Sequence, residues 1–313
     1  MIFYEVIPLD TLFFRGDTPM EAGQTTCESL FPPPSSVIMG AFRTELMKQF
    51  NIPLNRTNGD KIAFTVEAVL VKKGKNLYAP WPANWYVELP KDEESYIGKK
   101  IIVSEKIDTT NHPLRIQSSE GDVSMFKENE KEYEAKSEEE KKYEAQNLSS
   151  CWVNTRLLTE TLKGCSIKID DILPSKDIYS NELRTGIGLD NNKNAEEGKL
   201  YSSSHIRLQE GISLVFCLSQ EPSFEGKFIQ ESGIIQLGGE KRLCSYKKLK
   251  CDELPNMRQN YYSYIPVEAT ANNVKKIVAS GKIKATSGWD LDKGFHKPTT
   301  SWIPAGAIFT EKV

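Results

Sequence analysis

The sequence predicts an α+β protein built on antiparallel sheets. Three observations carry this: short apolar runs rich in β-branched and aromatic residues recur along the chain, turn residues separate them closely, and few stretches show helical spacing. The chain has 313 residues, 39% of them hydrophobic, enough for about two domains, expected over 1–150 and 151–313.

The first nine residues, MIFYEVIPL, suit an opening strand, and LFFRGDTPM follows as strand end and turn. FPPPSSVIMGAFRT then leads into a helix. A serine cap precedes Val37, Ala41, Phe42 and Leu46 at helical spacing, so the helix is expected to run to about Gln49. IAFTVEAVLV (62–71) reads as a second strand, and LYAPWPANWYVEL as strand, turn and strand. From 118 to 147 the chain is charged at most positions, so a solvated helix or mobile insertion is expected there. Beyond it, CSIKIDDILPS reads as a strand. GKLYSSSHIRLQEGISLVFCLSQ reads as two strands about Gln209-Glu210-Gly211, and SGIIQLGGEKRLCSYKKL as apolar strand, double-glycine turn and basic strand. VKKIVASGKIKAT and SWIPAGAIFT supply the last strands.

Composition excludes several classes. The longest apolar runs, such as Ile212 to Leu218, fall far below the roughly 20 residues of a membrane helix. The opening residues carry no charged leader with an apolar middle, so no membrane association and a cytoplasmic location are expected. Six cysteines without a C-x-x-C pair, and three histidines, give no zinc spacing. Buried free thiols are expected, and no metal or cofactor. A formal charge of −3 leaves only local patches for nucleic acid.

Four landmarks taken in order, LFFRGDTPM, FPPPSSVIMGAFRT, RTGIGLDNNKNAEEGKLYSSSHIRL and LGGEKR, resemble the third Cmr subunit family of type III-B CRISPR effector complexes, within the RAMP superfamily. The likeness spans about residues 7 to 309. It implies two ferredoxin-like (RRM-related) domains and a place at the foot of an antiviral complex. It further implies binding of the 5′ repeat-derived tag of the guide RNA, docking on the large polymerase- and nuclease-like subunit beside backbone RAMP subunits, and no catalytic residues.

Candidate RNA-binding residues follow from motif and chemistry. The proline run fixes the start of the first helix, whose N-terminus suits a phosphate, with Arg43 either reaching that phosphate or pairing with an acidic neighbour. Arg15 follows two aromatics that anchor its strand, and it either meets RNA or pairs with Asp17. Arg184 opens R-T-G-I-G-L-D, which lacks the third glycine of a dinucleotide fingerprint and leads into a hairpin-like projection. Gly238-Gly239-Glu240-Lys241-Arg242 places two cations after backbone that glycine lets approach closely, with Lys247, Lys248 and Lys250 beyond and Tyr246 available to stack on a base. Lys293, His296 and Lys297 lie in SGWDLDKGFHKPTTSWIPAGAIF, which resembles the glycine-rich loop near the end of RAMP proteins. Two other readings stand beside RNA-binding subunit: an endoribonuclease using a histidine, for which His296 has the best surroundings over His112 and His205, and a protein-only scaffold.

Overall fold

The computed structural model describes residues 1–16, 27–90, 95–103, 115–118, 121–124, 143–159, 166–189, 194–250, 254–255, 261–286, 289–290, 295–296 and 298–313. Its centre is an eight-stranded sheet. The strand order is Ile172–Pro174, Cys151–Asn154, Asn76–Pro80, Val66–Lys73, Ile212–Leu218, Ile2–Pro8, Leu243–Leu249 and Ser232–Gln236. Every neighbouring pair is antiparallel. Strands from either side of residue 150 therefore sit in one sheet.

Ile212–Leu218 is buried at all seven positions, which is why its sequence, ISLVFCL, is a continuous apolar run without alternation. Both faces of the sheet are covered at this strand. On one face helix α1 (Ser35–Gln49) lays Ile38, Phe42 and Leu46 against Tyr4, Leu214, Phe216 and Tyr246. On the other, Val215 and Cys217 join Trp81, Trp85, Tyr262 and Ile308 in a second cluster.

Helix α1 ends at Gln49 as its apolar spacing implies. Its start is corrected: the N-cap is Pro34, in extended backbone, and no side chain caps the helix. The proline run holds the entry angle that a serine hydroxyl was expected to fix. A short helix, α2 (Arg56–Lys61), follows and is capped by Asn55, whose side chain accepts from the Asn58 amide. CSIKIDDILPS also departs from expectation: Ile169–Asp171 is a 3-10 turn and the strand is only Ile172–Pro174. Asp171 is spent within that turn, accepting from the Lys168 amide and pairing with Arg156.

A long hairpin stands on this core. Tyr179–Leu189 pairs antiparallel with Ala195–Leu208, and the latter pairs in parallel with Cys27–Glu28. Its base is tied to the opening segment by reciprocal bonds between the Leu12 and Ile206 backbones, both 2.8 Å. Cys27, Cys151, Cys217 and Cys244 are buried. Most of the charged 118–147 segment lies outside the described residues, although Tyr143–Gln146 pairs with Trp85–Pro90. Among the described residues, no helix is long and apolar enough to cross a membrane.

Candidate nucleic-acid interface

Three of the four landmarks meet at one place. The turn after Ser232–Gln236 folds over Phe13: the Gly239 N–H donates to the Phe13 carbonyl at 2.8 Å. Gly238 has φ +82°, and a Cβ there would sit nearer the Phe13 carbonyl oxygen than the 3.0 Å that real Cβ atoms keep, and 2.9 Å from a Phe14 ring carbon. The glycines are thus required by close approach, but the partner is the chain's own LFF segment. Past them Glu240 and Lys241 take φ +53° and +52°, a backbone state that costs an L-residue about 1–2 kcal/mol. The turn closes through Leu237 N–H to the Arg242 carbonyl at 2.8 Å, which leaves Lys241 exposed at its tip.

His205 lies beneath this turn. It is fully buried, stacked on Phe13 with ring centroids 4.9 Å apart, and held between the Thr11 hydroxyl at 3.2 Å from Nδ1 and the Ser203 hydroxyl at 3.1 Å from Nε2. Burial lowers its pKa; the nearby Glu240 carboxylate opposes this, and the Arg242 and Arg184 charges add to it. The imidazole is therefore neutral, with both nitrogens engaged, and cannot reach a substrate.

On the same face of the hairpin, Glu182 pairs in register with His205 and Ser180 with Arg207. Three guanidiniums converge on one carboxylate there. Arg184 Nη2 donates to Asp10 Oδ2 at 3.1 Å, Arg207 Nη2 to Oδ1 at 3.1 Å, and Arg242 Nη1 to Oδ2 at 2.9 Å. Glu182 accepts from Arg184 Nε at 2.9 Å and Arg207 Nε at 2.6 Å, while Glu240 accepts from Arg242. Desolvation acts to raise the Asp10 pKa, but the Thr11 backbone N–H and the Arg184 guanidinium outweigh it and the net direction is down. Three cations and three carboxylates leave the cluster neutral.

The remaining candidates lie elsewhere. Arg15 bridges to Ser29 through the backbone, at the edge of a cleft of about 550 Å³ that Gly16, Ser29, Asn181, Ser204, Lys282 and Lys284 help line. Among the described residues Arg43 pairs with no acid and does not join the cluster: its Nε donates to the Ile62 carbonyl at 3.1 Å and its guanidinium lies over Phe64, tying α1 to the end of α2. Tyr246 is buried against Tyr4 and Phe42, which corrects its expected role as a stacking platform. Lys248 pairs with Glu221 at 2.8 Å, whereas Lys247 and Lys250 are exposed. His296 lies in the short strand Phe295–His296, paired with Trp289–Asp290. Lys293 and Lys297 lie outside the described residues, as does His112.

Sequence reasoning missed Asp10, Glu182, Arg207 and Glu240. A signal existed: Ser203, His205 and Arg207 alternate, as do Glu182 and Arg184, which marks one strand face. Their convergence on Asp10 depends on a pairing nearly 200 residues distant.

A family model described as CRISPR-associated protein (Cas_Cmr3) matches residues 4–265. Among solved structures, a chain of the cryo-EM structure of the type III-B Cmr-beta bound to cognate target RNA and AMPPnP is similar at 16% identity and TM-score 0.58, over 98% of this chain and 85% of that one. A chain of the type III-B Cmr-beta bound to cognate target RNA is similar at 17% identity and TM-score 0.56, over 99% and 86%. No curated protein matches the sequence.

Proposed function

The chain belongs to the Cas_Cmr3 family of CRISPR-associated proteins, and from that premise we propose that it is a non-catalytic subunit of a type III-B effector that binds the 5′ repeat-derived tag of the guide RNA. The observation that carries this reading is the convergence just described. Lys241 is exposed at the tip of a left-handed turn, next to Arg242 of the same turn, whose guanidinium meets those of Arg184 and Arg207 from the hairpin at Asp10. Backbone in a costly conformation persists where surrounding structure over-determines it, and its location at such a site points to a use. Lys282 and Lys284 line the cleft at Gly16, to which the hairpin contributes Asn181 and Ser204 from the face opposite Glu182 and His205; with Lys293, His296 and Lys297 they are proposed as further contacts to the RNA.

Docking on the large subunit and on neighbouring RAMP subunits belongs to the same reading. Ile7, Ser245 and Ile234 lie in register across three strands, and Ile7, Leu9, Ile234 and Leu243 are all exposed. This part of the sheet face opposite α1, which no described residue covers, suits a protein neighbour. The two ferredoxin-like units, placed at 1–150 and 151–313, would in this reading share the eight-stranded sheet. A cytoplasmic location follows from assembly on a guide RNA.

The test is binding of a guide RNA with its tag intact or scrambled, measured with the assembled complex at several salt concentrations. Preference for the intact tag, lost when Lys241 and Arg15 are replaced together by alanine, supports the reading. Equal affinity for both RNAs overturns it.

A further inference from the structure

We propose that Asp10 is a displaceable occupant of a phosphate site, its carboxylate standing among Arg184, Arg207 and Arg242 where a backbone phosphodiester of RNA binds after Asp10 swings out. The inference rests on the RNA-binding reading above and gives that surface a mechanism. Its geometric basis is threefold.

First, three guanidiniums from two distant parts of the chain reach the same two oxygens at 2.9 to 3.1 Å. Each guanidinium gives Asp10 one nitrogen and spends another on Glu182 or Glu240, and N–H donors so arranged about two oxygens match a phosphate as well as a carboxylate. Arg242 also keeps a buried Nε without a hydrogen-bond partner among the described residues, so its donors are not exhausted by the present occupant.

Second, charge favours an exchange. Without Asp10, three arginines face only Glu182 and Glu240, leaving one positive charge; a phosphodiester carries one negative charge and restores neutrality. Asp10 itself and Arg207 are 45% and 47% exposed, so solvent screens that pair, while Arg184 and Arg242 are more covered at 32% and 17% and stay as the inner wall of the site. Asp10 follows the last residue of the strand Ile2–Pro8 by two positions, beyond the sheet ladder, so its side chain can leave without breaking strand pairing.

Third, the scaffold beneath is fixed while the occupant is not. Glu182 and Glu240 each retain their own arginine contacts, and His205 with Phe13 supports the turn from below. Removing the Asp10 carboxylate therefore leaves the guanidiniums in place.

The test uses full-length protein and a short fluorescent oligouridylate lacking any tag sequence, with inorganic pyrophosphate and an oligoglutamate peptide as further probes. Asp10→Asn is expected to bind the oligouridylate about fivefold more tightly, to compete with pyrophosphate, and to steepen the salt slope by about one unit. Adding Arg207→Ala to Asp10→Asn removes the gain. Arg207→Ala alone, at an exposed position that does not threaten the fold, weakens oligouridylate binding by the wild-type protein and supplies a second arm independent of Asp10. The proposal is overturned if Asp10→Asn binds the oligouridylate no better at an unchanged unfolding midpoint. It is also overturned if Arg207→Ala changes nothing, or if oligoglutamate gains as much as the oligonucleotide. Because no probe carries the tag, failure of tag recognition in the complex and failure of this exchange are separately visible.

Discussion

Replacing Gly238 by alanine isolates the close approach that organises the candidate interface. Two costs are expected. The residue's φ of +82° charges an alanine about 1–2 kcal/mol. The added Cβ also meets the Phe13 carbonyl and the Phe14 ring, neither of which is the free end of a flexible side chain, and such overpacking costs about 1–3 kcal/mol. The sum is about 2–5 kcal/mol. Gly211 is the control: its φ is +75°, yet nothing lies within 4 Å of its added Cβ, so Gly211→Ala bears only the backbone cost. At roughly 2.1 cal/mol/K per residue, a chain of 313 residues loses about 1.5 °C of midpoint per kcal/mol. Gly238→Ala is then expected to melt about 1.5–4.5 °C below Gly211→Ala by scanning fluorimetry. Equal midpoints would refute the claim that contact with the LFF segment dictates the double glycine.

The other predictions concern pH, helix contacts and RNA. His205 is buried neutral with a pKa below its ordinary 6.5, so the unfolded chain binds the extra proton. Its contribution to stability is complete above about pH 6.5 and falls as pH drops below it; urea midpoints between pH 7.5 and 5 check this, and His205→Gln should flatten that window. Carboxylates with lowered pKa, Glu5 and Asp10 among them, act only at lower pH, so a flat wild-type profile from 7.5 to 5 contradicts the assignment. Arg43→Ala removes the bond to the Ile62 carbonyl and the contact with Phe64 and should cost about 1–2 kcal/mol in urea unfolding. Tyr246→Phe loses the hydroxyl that accepts from Gln49 at 2.8 Å, about 1 kcal/mol, and should leave RNA affinity unchanged; a drop in affinity would restore Tyr246 as a base contact. Lys241→Ala is expected to weaken RNA binding uniformly across sequences and lower the salt slope by about one unit, read by fluorescence anisotropy.

How much of this was legible in the sequence depends on how local each signal is. The strands Ile2–Pro8, Val66–Lys73 and Ile212–Leu218 stand out because burial on one or both faces writes itself into consecutive residues. The end of α1 at Gln49 stands out by the same logic at helical spacing. The second strand of the hairpin was legible in GKLYSSSHIRL, but its first, Tyr179–Leu189, was visible only as the start of a projection, and the pairing of Leu183, Arg184 and Thr185 with Ser204, Ser203 and Ser202 is written in neither segment alone. The double glycine signalled close approach but not to what, because Phe13 is over 200 residues away. Tyr246 looked like a surface aromatic among lysines; strand alternation instead turns it onto α1 while Lys247 faces out. The Asp10 cluster needed tertiary pairing that no local pattern encodes.

The central claim, that the opening LFF segment, the hairpin base and the late glycine turn form one surface for the leading end of a guide RNA, is tested most directly by photo-crosslinking the tag nucleotides within the assembled complex and mapping the modified peptides. Crosslinks at Lys241, Arg184 or Arg207 and in the segment around Arg15 are the predicted result. Tag nucleotides that crosslink only to other subunits, while this chain remains assembled in the complex, would contradict it.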